Sequence, residues 1–168
     1  MHIISAALCS FLCTSVGYIK AKSYAMQRQA IKALKDDMRA VTVQINLTSQ
    51  PLFSILERIK ENSELSPLWS DMQYRLTNGD TCRESFVYAL EKNEAICKLL
   101  QKQEKEDISV YFSTLGKADR QTERKAAEYV CDKLEIAYER IEAKTKKDEK
   151  LFKSIGALLG LGLAIVLL

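Results

Sequence analysis

The sequence predicts an all-α fold: an antiparallel helical bundle with one N-terminal and one C-terminal transmembrane helix. Three observations predict it. Apolar residues in the interior recur three and four apart, the spacing that lines one face of a helix. The 168 residues contain two prolines and no Gly-rich or Ser-rich linker, and both ends are uncharged apolar runs. The expected organisation is an anchor at 1–19, one helical domain at 20–150 and a second anchor at 151–168.

The first run, His2 to Ile19, has no formally charged side chain, and its lysines follow it rather than precede it. A secretory signal would place basic residues ahead of the apolar core, and Leu8 and Leu12 before Cys9 and Cys13 do not suit a lipoprotein cleavage site. An uncleaved anchor is therefore expected. The closing run, Ser154 to Leu168, rises only ~22 Å as a helix against a hydrocarbon thickness of ~30 Å. It is nonetheless apolar on every side, carries Gly156, Gly160 and Gly162, and is entered past Lys150 and Lys153. Lysine stems can lie along lipid with their ammonium groups in water, which lengthens the span.

Charge placement predicts orientation. Lys20, Lys22, Arg28, Lys32 and Lys35 follow the first run, and Lys144, Lys146, Lys147, Lys150 and Lys153 precede the second. Positive charge beside a membrane segment stays on the cytoplasmic side, so the central domain is expected in the cytoplasm and both termini across the membrane. Lys20, Lys22, Lys146, Lys147, Lys150 and Lys153 suit anionic headgroups, which makes membrane lipid an expected partner. Gly156, Gly160 and Ala164 recur every four residues, and Ala6, Ser10 and Thr14 form a similar small-residue face on the first anchor. Such faces let helix backbones approach closely in lipid. The two are expected to pack together, with a partner membrane protein or a second copy as alternatives.

Within the domain, Ile31, Leu34, Met38, Val41 and Ile45 make one apolar stripe continuing from the first anchor. Ser49-Gln50-Pro51 resets the chain, since proline is tolerated in a first helical turn, and Leu52, Ile55, Leu56 and Ile59 follow. Ser66-Pro67 repeats the device ahead of Leu68, Trp69, Met72 and Leu76, and Asn78-Gly79 ends that helix. Thr81 and Glu84 have capping-box spacing ahead of Phe86, Ala89 and Leu90. The stretch from Ile96 to Lys105 is ambiguous. A further helix bears Ile108, Tyr111, Phe112 and Leu115 as far as Gly116, where a left-handed residue can close it. Asp119 is placed to cap the next helix, and Arg120 opens it as a possible partner contact. That last helix keeps Ala127, Val130, Leu134, Ala137 and Ile141 in register without proline or glycine, and is expected to enter the membrane unbroken and to pack antiparallel to the first.

Several function classes are disfavoured. His2 is the sole histidine, so the domain lacks the usual general base and the commonest metal ligand. There is no phosphate-binding glycine loop, no metal-spaced cysteine pair and no G-x-S-x-G element. Glu104, Glu106 and Asp107 lie in a charge run that reads as a solvated face, and Cys82, Cys97 and Cys131 fall near apolar stripes, where cysteine behaves as a small core residue. A net charge of +3 is too small to argue for nucleic acid. The expectation is no enzyme and no cofactor.

Pro51, Leu52, Leu56, Arg58 and Ile59, the corner of Leu115, Gly116 and Asp119, and the long charged helix ending in "FKSIGALLGLGLAIVLL" together resemble the stage III sporulation protein AB family. The resemblance spans nearly the whole chain. It implies a mother-cell membrane protein of the complex that links mother cell and engulfed forespore during endospore formation. Its domain would be similar to those of the inner-membrane platform proteins of type II secretion and type IV pilus machines. It also implies an ATPase partner, stage III sporulation protein AA. No small-molecule substrate is expected. A small pore-forming or membrane-remodelling protein acting through its anchors is the alternative from a different class.

Overall fold

The computed structural model describes the backbone of residues 2–48 and 50–167, and the side chains of 15, 18–48, 50–156, 158 and 162. The described residues form seven helices and no strand: α1 (His2–Leu47), α2 (Leu52–Asn62), α3 (Ser66–Thr77), α4 (Cys82–Lys92), α5 (Glu94–Cys97), α6 (Lys102–Thr114) and α7 (Arg120–Leu167). They divide into two compact units, one of residues 1–28 with 141–168 and one of residues 29–140.

The 29–140 unit is built on the stripes read from the sequence. Ile31, Leu34, Met38 and Val41 of α1 are fully buried, as are Ile55 and Leu56 of α2 and Leu68, Trp69 and Met72 of α3. Val130, Leu134 and Ala137 of α7 join them. Within this unit α1 and α7 run antiparallel: the Lys35 ammonium donates to Glu135 Oε1 at 3.1 Å, and Thr42 Oγ1 lies 3.5 Å from Cys131 Sγ, so α1 numbers rise as α7 numbers fall. α2 packs on α3, α3 on α4, and α4 on α5 and α6.

Turn chemistry sets the boundaries. Pro51 precedes α2 in extended conformation, and Pro67 sits in the first turn of α3, where a missing N–H is no loss. Gly79 ends α3 at φ +93°, a conformation glycine adopts without a Cβ penalty. Thr81 and Glu84 cap α4 reciprocally: the Glu84 N–H donates to Thr81 Oγ1, and the Thr81 N–H donates to Glu84 Oε2 at 3.0 Å. The ambiguous stretch resolves into a single turn and a restart. Asn93 Oδ1 accepts from the Ile96 N–H at 3.4 Å to begin α5, and Glu104 accepts from the Gln101 N–H at 2.7 Å to begin α6.

Two part-buried polar links organise the unit. Asp37 Oδ2, on α1, accepts from Trp69 Nε1–H at 2.6 Å and from the Ser63 hydroxyl, tying α1 to α3 and to the α2–α3 turn. The Arg140 guanidinium on α7 donates to both carboxylate oxygens of Glu104 at 3.1 and 2.9 Å and to the Leu99 carbonyl at 3.3 Å, which ties the α5–α6 segment to α7. Glu104 is thus a largely covered ion-pair partner, its side chain 13% exposed, rather than part of a solvated face. Its cation lies 36 positions along the chain, so the local charge pattern does not reveal it.

Tyr111 is fully buried and its hydroxyl has no hydrogen-bond partner among the described residues, and burial pushes its phenol pKa up. An unpaired buried hydroxyl is unfavourable by ~1–3 kcal/mol. Tyr111→Phe should therefore leave stability unchanged or raise it by up to ~1 kcal/mol, read as an equal or higher Tm. A clear loss would mean that the hydroxyl is paired.

In the other unit Tyr24 and Phe152 meet with ring centroids 5.7 Å apart, and the Arg28 guanidinium donates to Glu149 Oε2 at 2.5 Å. The expectation of transmembrane helices is not met by the described residues, because no helix among them is long and apolar enough to cross a membrane. Most apolar side chains of 1–17 and 157–168 lie outside the described set.

Candidate functional site

The α6–α7 corner and the groove beside it form the candidate site, all within the 29–140 unit. α6 ends at Thr114, whose carbonyl accepts from the N–H groups of Lys117 and Ala118 at 3.1 and 3.2 Å. Gly116 turns the chain at φ +72°. Its own N–H donates to Glu123 Oε1 at 2.7 Å, so a carboxylate from the first turn of α7 reaches back and clamps the corner. Asp119 Oδ1 accepts from the N–H groups of Gln121 and Thr122 at 3.0 and 3.1 Å, and Oδ2 accepts from the Thr122 hydroxyl at 2.6 Å. Those bonds, the Thr122 hydroxyl foremost, hold the Asp119 carboxyl below its ordinary range. Arg120 is the first residue of α7 and is exposed.

Between the end of α1 and the start of α7 runs an open groove of about 790 Å³. Thr42, Val43 and Leu47 line it from α1, and Arg120, Ala127 and Cys131 from α7. Val43 is 47% and Leu47 80% exposed. Arg39 and Arg124 together with Glu128 and Asp132 are also part of the lining, so apolar surface is flanked by charge of both signs. Such a mixture suits a protein surface better than a small polar metabolite. Among the described residues no group of three or more His, Cys, Asp or Glu could hold a metal ion.

The corner makes a testable forecast. Apart from Gly116 and its chain neighbours, no atom of the described residues lies within 4 Å of where a Gly116 Cβ would stand, so Gly116→Val acts through the backbone and should destabilise by ~1–2 kcal/mol. Asp119→Ala should lower Tm, whereas Asp119→Ser should retain most of the cap. Because the folded Asp119 pKa is depressed, its contribution is present above the unfolded carboxylate pKa and is lost as pH falls through the folded value. A thermal melt series from neutral to acid pH that shows no narrowing of the wild-type advantage over Asp119→Ala would contradict the cap.

The structure distributes the other sequence-derived residues unevenly. Lys20, Lys22, Lys147 and Lys150 are exposed, while Lys146 pairs with Glu142 at 3.0 Å and Lys153 with Glu149 at 2.7 Å. Gly156 is buried. The side chains of Ala6, Ser10, Thr14 and Ala164, and the surroundings of Gly160, lie outside the described residues. Glu123 and Asp37 carry structural weight that periodicity does not single out. Glu123 is legible only as an acid in the first turn of a helix, and Asp37 only as an acid beside an apolar stripe.

Comparison with known proteins identifies the family. Among curated proteins the chain is similar to the stage III sporulation protein AB of Bacillus subtilis (strain 168), 26% identical over 171 residues, covering 100% of this chain and 99% of that protein. No solved structure matches it. The family model described as stage III sporulation protein AB matches residues 2–168, corner, groove and both apolar ends included, and the chain therefore belongs to the stage III sporulation protein AB family, a family of sporulation proteins.

Proposed function

We propose that this protein is a non-enzymatic platform subunit of the mother cell–forespore transenvelope complex required for endospore formation. Segments 1–19 and 151–168 tether it to the mother-cell membrane, residues 20–150 face the mother-cell cytoplasm, and both termini lie on the intermembrane side. The observation that carries this reading is a family match that takes in both apolar ends with the helical domain as one unit. The groove supports a binding role: exposed Val43 and Leu47 between charges of both signs offer a contact surface. Its proposed occupant is the ATPase of the same system, stage III sporulation protein AA.

Capture with the full-length protein from sporulating cells tests this. The ATPase should be retained by the wild-type chain and lost with Val43→Asp/Leu47→Asp, two exposed substitutions that should leave the melting curve intact. Retention by both proteins would remove the groove from the interface. An ATPase absent from both, together with ion conductance from reconstituted protein, would favour the pore-forming alternative.

A further inference from the structure

Charge is segregated between the two units. Residues 1–28 and 141–168 carry eight Lys and Arg against three Asp and Glu, net +5, whereas residues 29–140 carry 17 against 19, net −2, together giving the chain's +3. Ion pairing sharpens the contrast. In the 1–28/141–168 unit Glu149 accepts from Arg28 and Lys153, and Glu142 pairs with Lys146. Lys20, Lys22, Lys144, Lys147 and Lys150 are exposed, and among the described residues none has a carboxylate in ion-pair range. Asp148 is the remaining acid of the unit.

Helical spacing accounts for the separation. Glu142 and Glu149 are seven apart and so share one face of α7, the face on which Glu149 meets Arg28 of α1. Lys146 and Lys153, each four residues beyond one of these acids, fall beside them. Lys144 and Lys147 project from the opposite side of the helix and Lys150 from its flank. Exposed apolar residues accompany the unpaired lysines: Tyr18 and Ile19 precede Lys20, and Leu151, Ile155 and Leu158 follow Lys150. Ammonium groups without counterions beside an exposed tyrosine and aliphatic side chains are what the boundary between acyl chains and headgroups takes. An acidic protein surface would satisfy the lysines and leave Ile19, Ile155 and Leu158 uncovered, whereas a bilayer serves both sets.

We propose that the five unpaired lysines Lys20, Lys22, Lys144, Lys147 and Lys150 form a collar that selects anionic phospholipid headgroups around the protein, while Lys146 and Lys153 do not contribute. The inference rests on the membrane tether proposed above and adds to it a lipid class and a division of labour among lysines. The attraction is between ammonium groups and headgroup phosphates, and it weakens with salt.

The full-length protein is reconstituted in bilayers of equimolar phosphatidylglycerol and phosphatidylcholine, and spin-labelled lipids of each type report occupancy of the first lipid shell. Phosphatidylglycerol should be enriched more than about twofold, and the enrichment should collapse at ~1 M salt, where the Debye length is ~3 Å. Replacing all five unpaired lysines by Gln should abolish it with helicity unchanged by circular dichroism, whereas Lys146→Gln/Lys153→Gln should retain it. Equal occupancy in the wild type, or equal loss in the two variants, overturns the collar. Co-flotation separates the two ideas: protein that floats with pure phosphatidylcholine vesicles yet shows no enrichment overturns the collar and leaves the tether standing. Protein that floats only with phosphatidylglycerol overturns the tether and upholds the lysines, and protein that floats with neither overturns both.

Discussion

Trp69→Ala is expected to destabilise the 29–140 unit by about 3–5 kcal/mol, the range for emptying a buried aromatic site. Domains of this size are stable by only ~5–15 kcal/mol, so the variant should melt far below the wild type. Trp69 is the largest fully buried side chain, and its indole N–H is spent on Asp37 Oδ2 at 2.6 Å. The loss therefore combines a cavity with the loss of one hydrogen bond to Asp37, which keeps the one from Ser63. Asp37 separates the two contributions. Asp37→Asn keeps an acceptor for Trp69 and Ser63 and should be mild, whereas Asp37→Leu strands both donors and should be unfavourable by ~1–3 kcal/mol.

The same residue gives a pH signature. Burial, reinforced by Asp36 and Glu64, pushes the Asp37 carboxyl above its ordinary value despite the bonds from Ser63 and Trp69. A carboxyl whose folded pKa is raised contributes most below its unfolded pKa, and that contribution is lost as pH rises through the folded value. Asp119, Glu84 and Glu149, whose values are lowered, act in the opposite sense. Asp37→Asn should accordingly gain on the wild type as pH rises from acid to neutral, measured by denaturant unfolding at each pH. A constant difference would show that Asp37 does not titrate on unfolding.

Phe112→Ala should have an effect of similar size, about 3–5 kcal/mol. Phe112 is buried, stacks on Phe86 of α4 at a centroid distance of 4.8 Å, and lies 5.4 Å from the Tyr111 ring. It joins α6 to α4. Phe112→Leu conserves most of the volume and should be unfavourable by less than ~1.5 kcal/mol. Equal melting of Phe112→Ala and wild type would mean that α6 does not pack as described.

Local signals in the sequence account for most of the helical architecture. Ile31 to Val41, Leu68 to Met72 and Ala127 to Ile141 announce their buried faces by spacing, and Pro51, Pro67, Gly79, Thr81 and Gly116 mark boundaries by chemistry that operates over a few residues. Asn93 is a cap of the same local kind, visible in retrospect as an Asn before Glu94-Ala95-Ile96. Pairs distant in the chain are a different matter. Trp69 with Asp37 and Arg140 with Glu104 join residues more than 30 positions apart, and only the packed helices bring them together. The groove is likewise invisible to periodicity, because Val43 and Leu47 are exposed apolar residues that a stripe analysis leaves unassigned.

The most direct test of a membrane-tethered cytoplasmic platform is the reactivity of Cys82, Cys97 and Cys131 toward a membrane-impermeant maleimide, mapped by peptide in sporulating cells. All three are free thiols of the 29–140 unit. Positive charge flanking both apolar ends is expected to hold that unit inside. The account predicts no labelling of these three in intact mother cells and full labelling after lysis in denaturant. Labelling of any of the three in intact cells, with a known cytoplasmic thiol protected in the same sample, would contradict it.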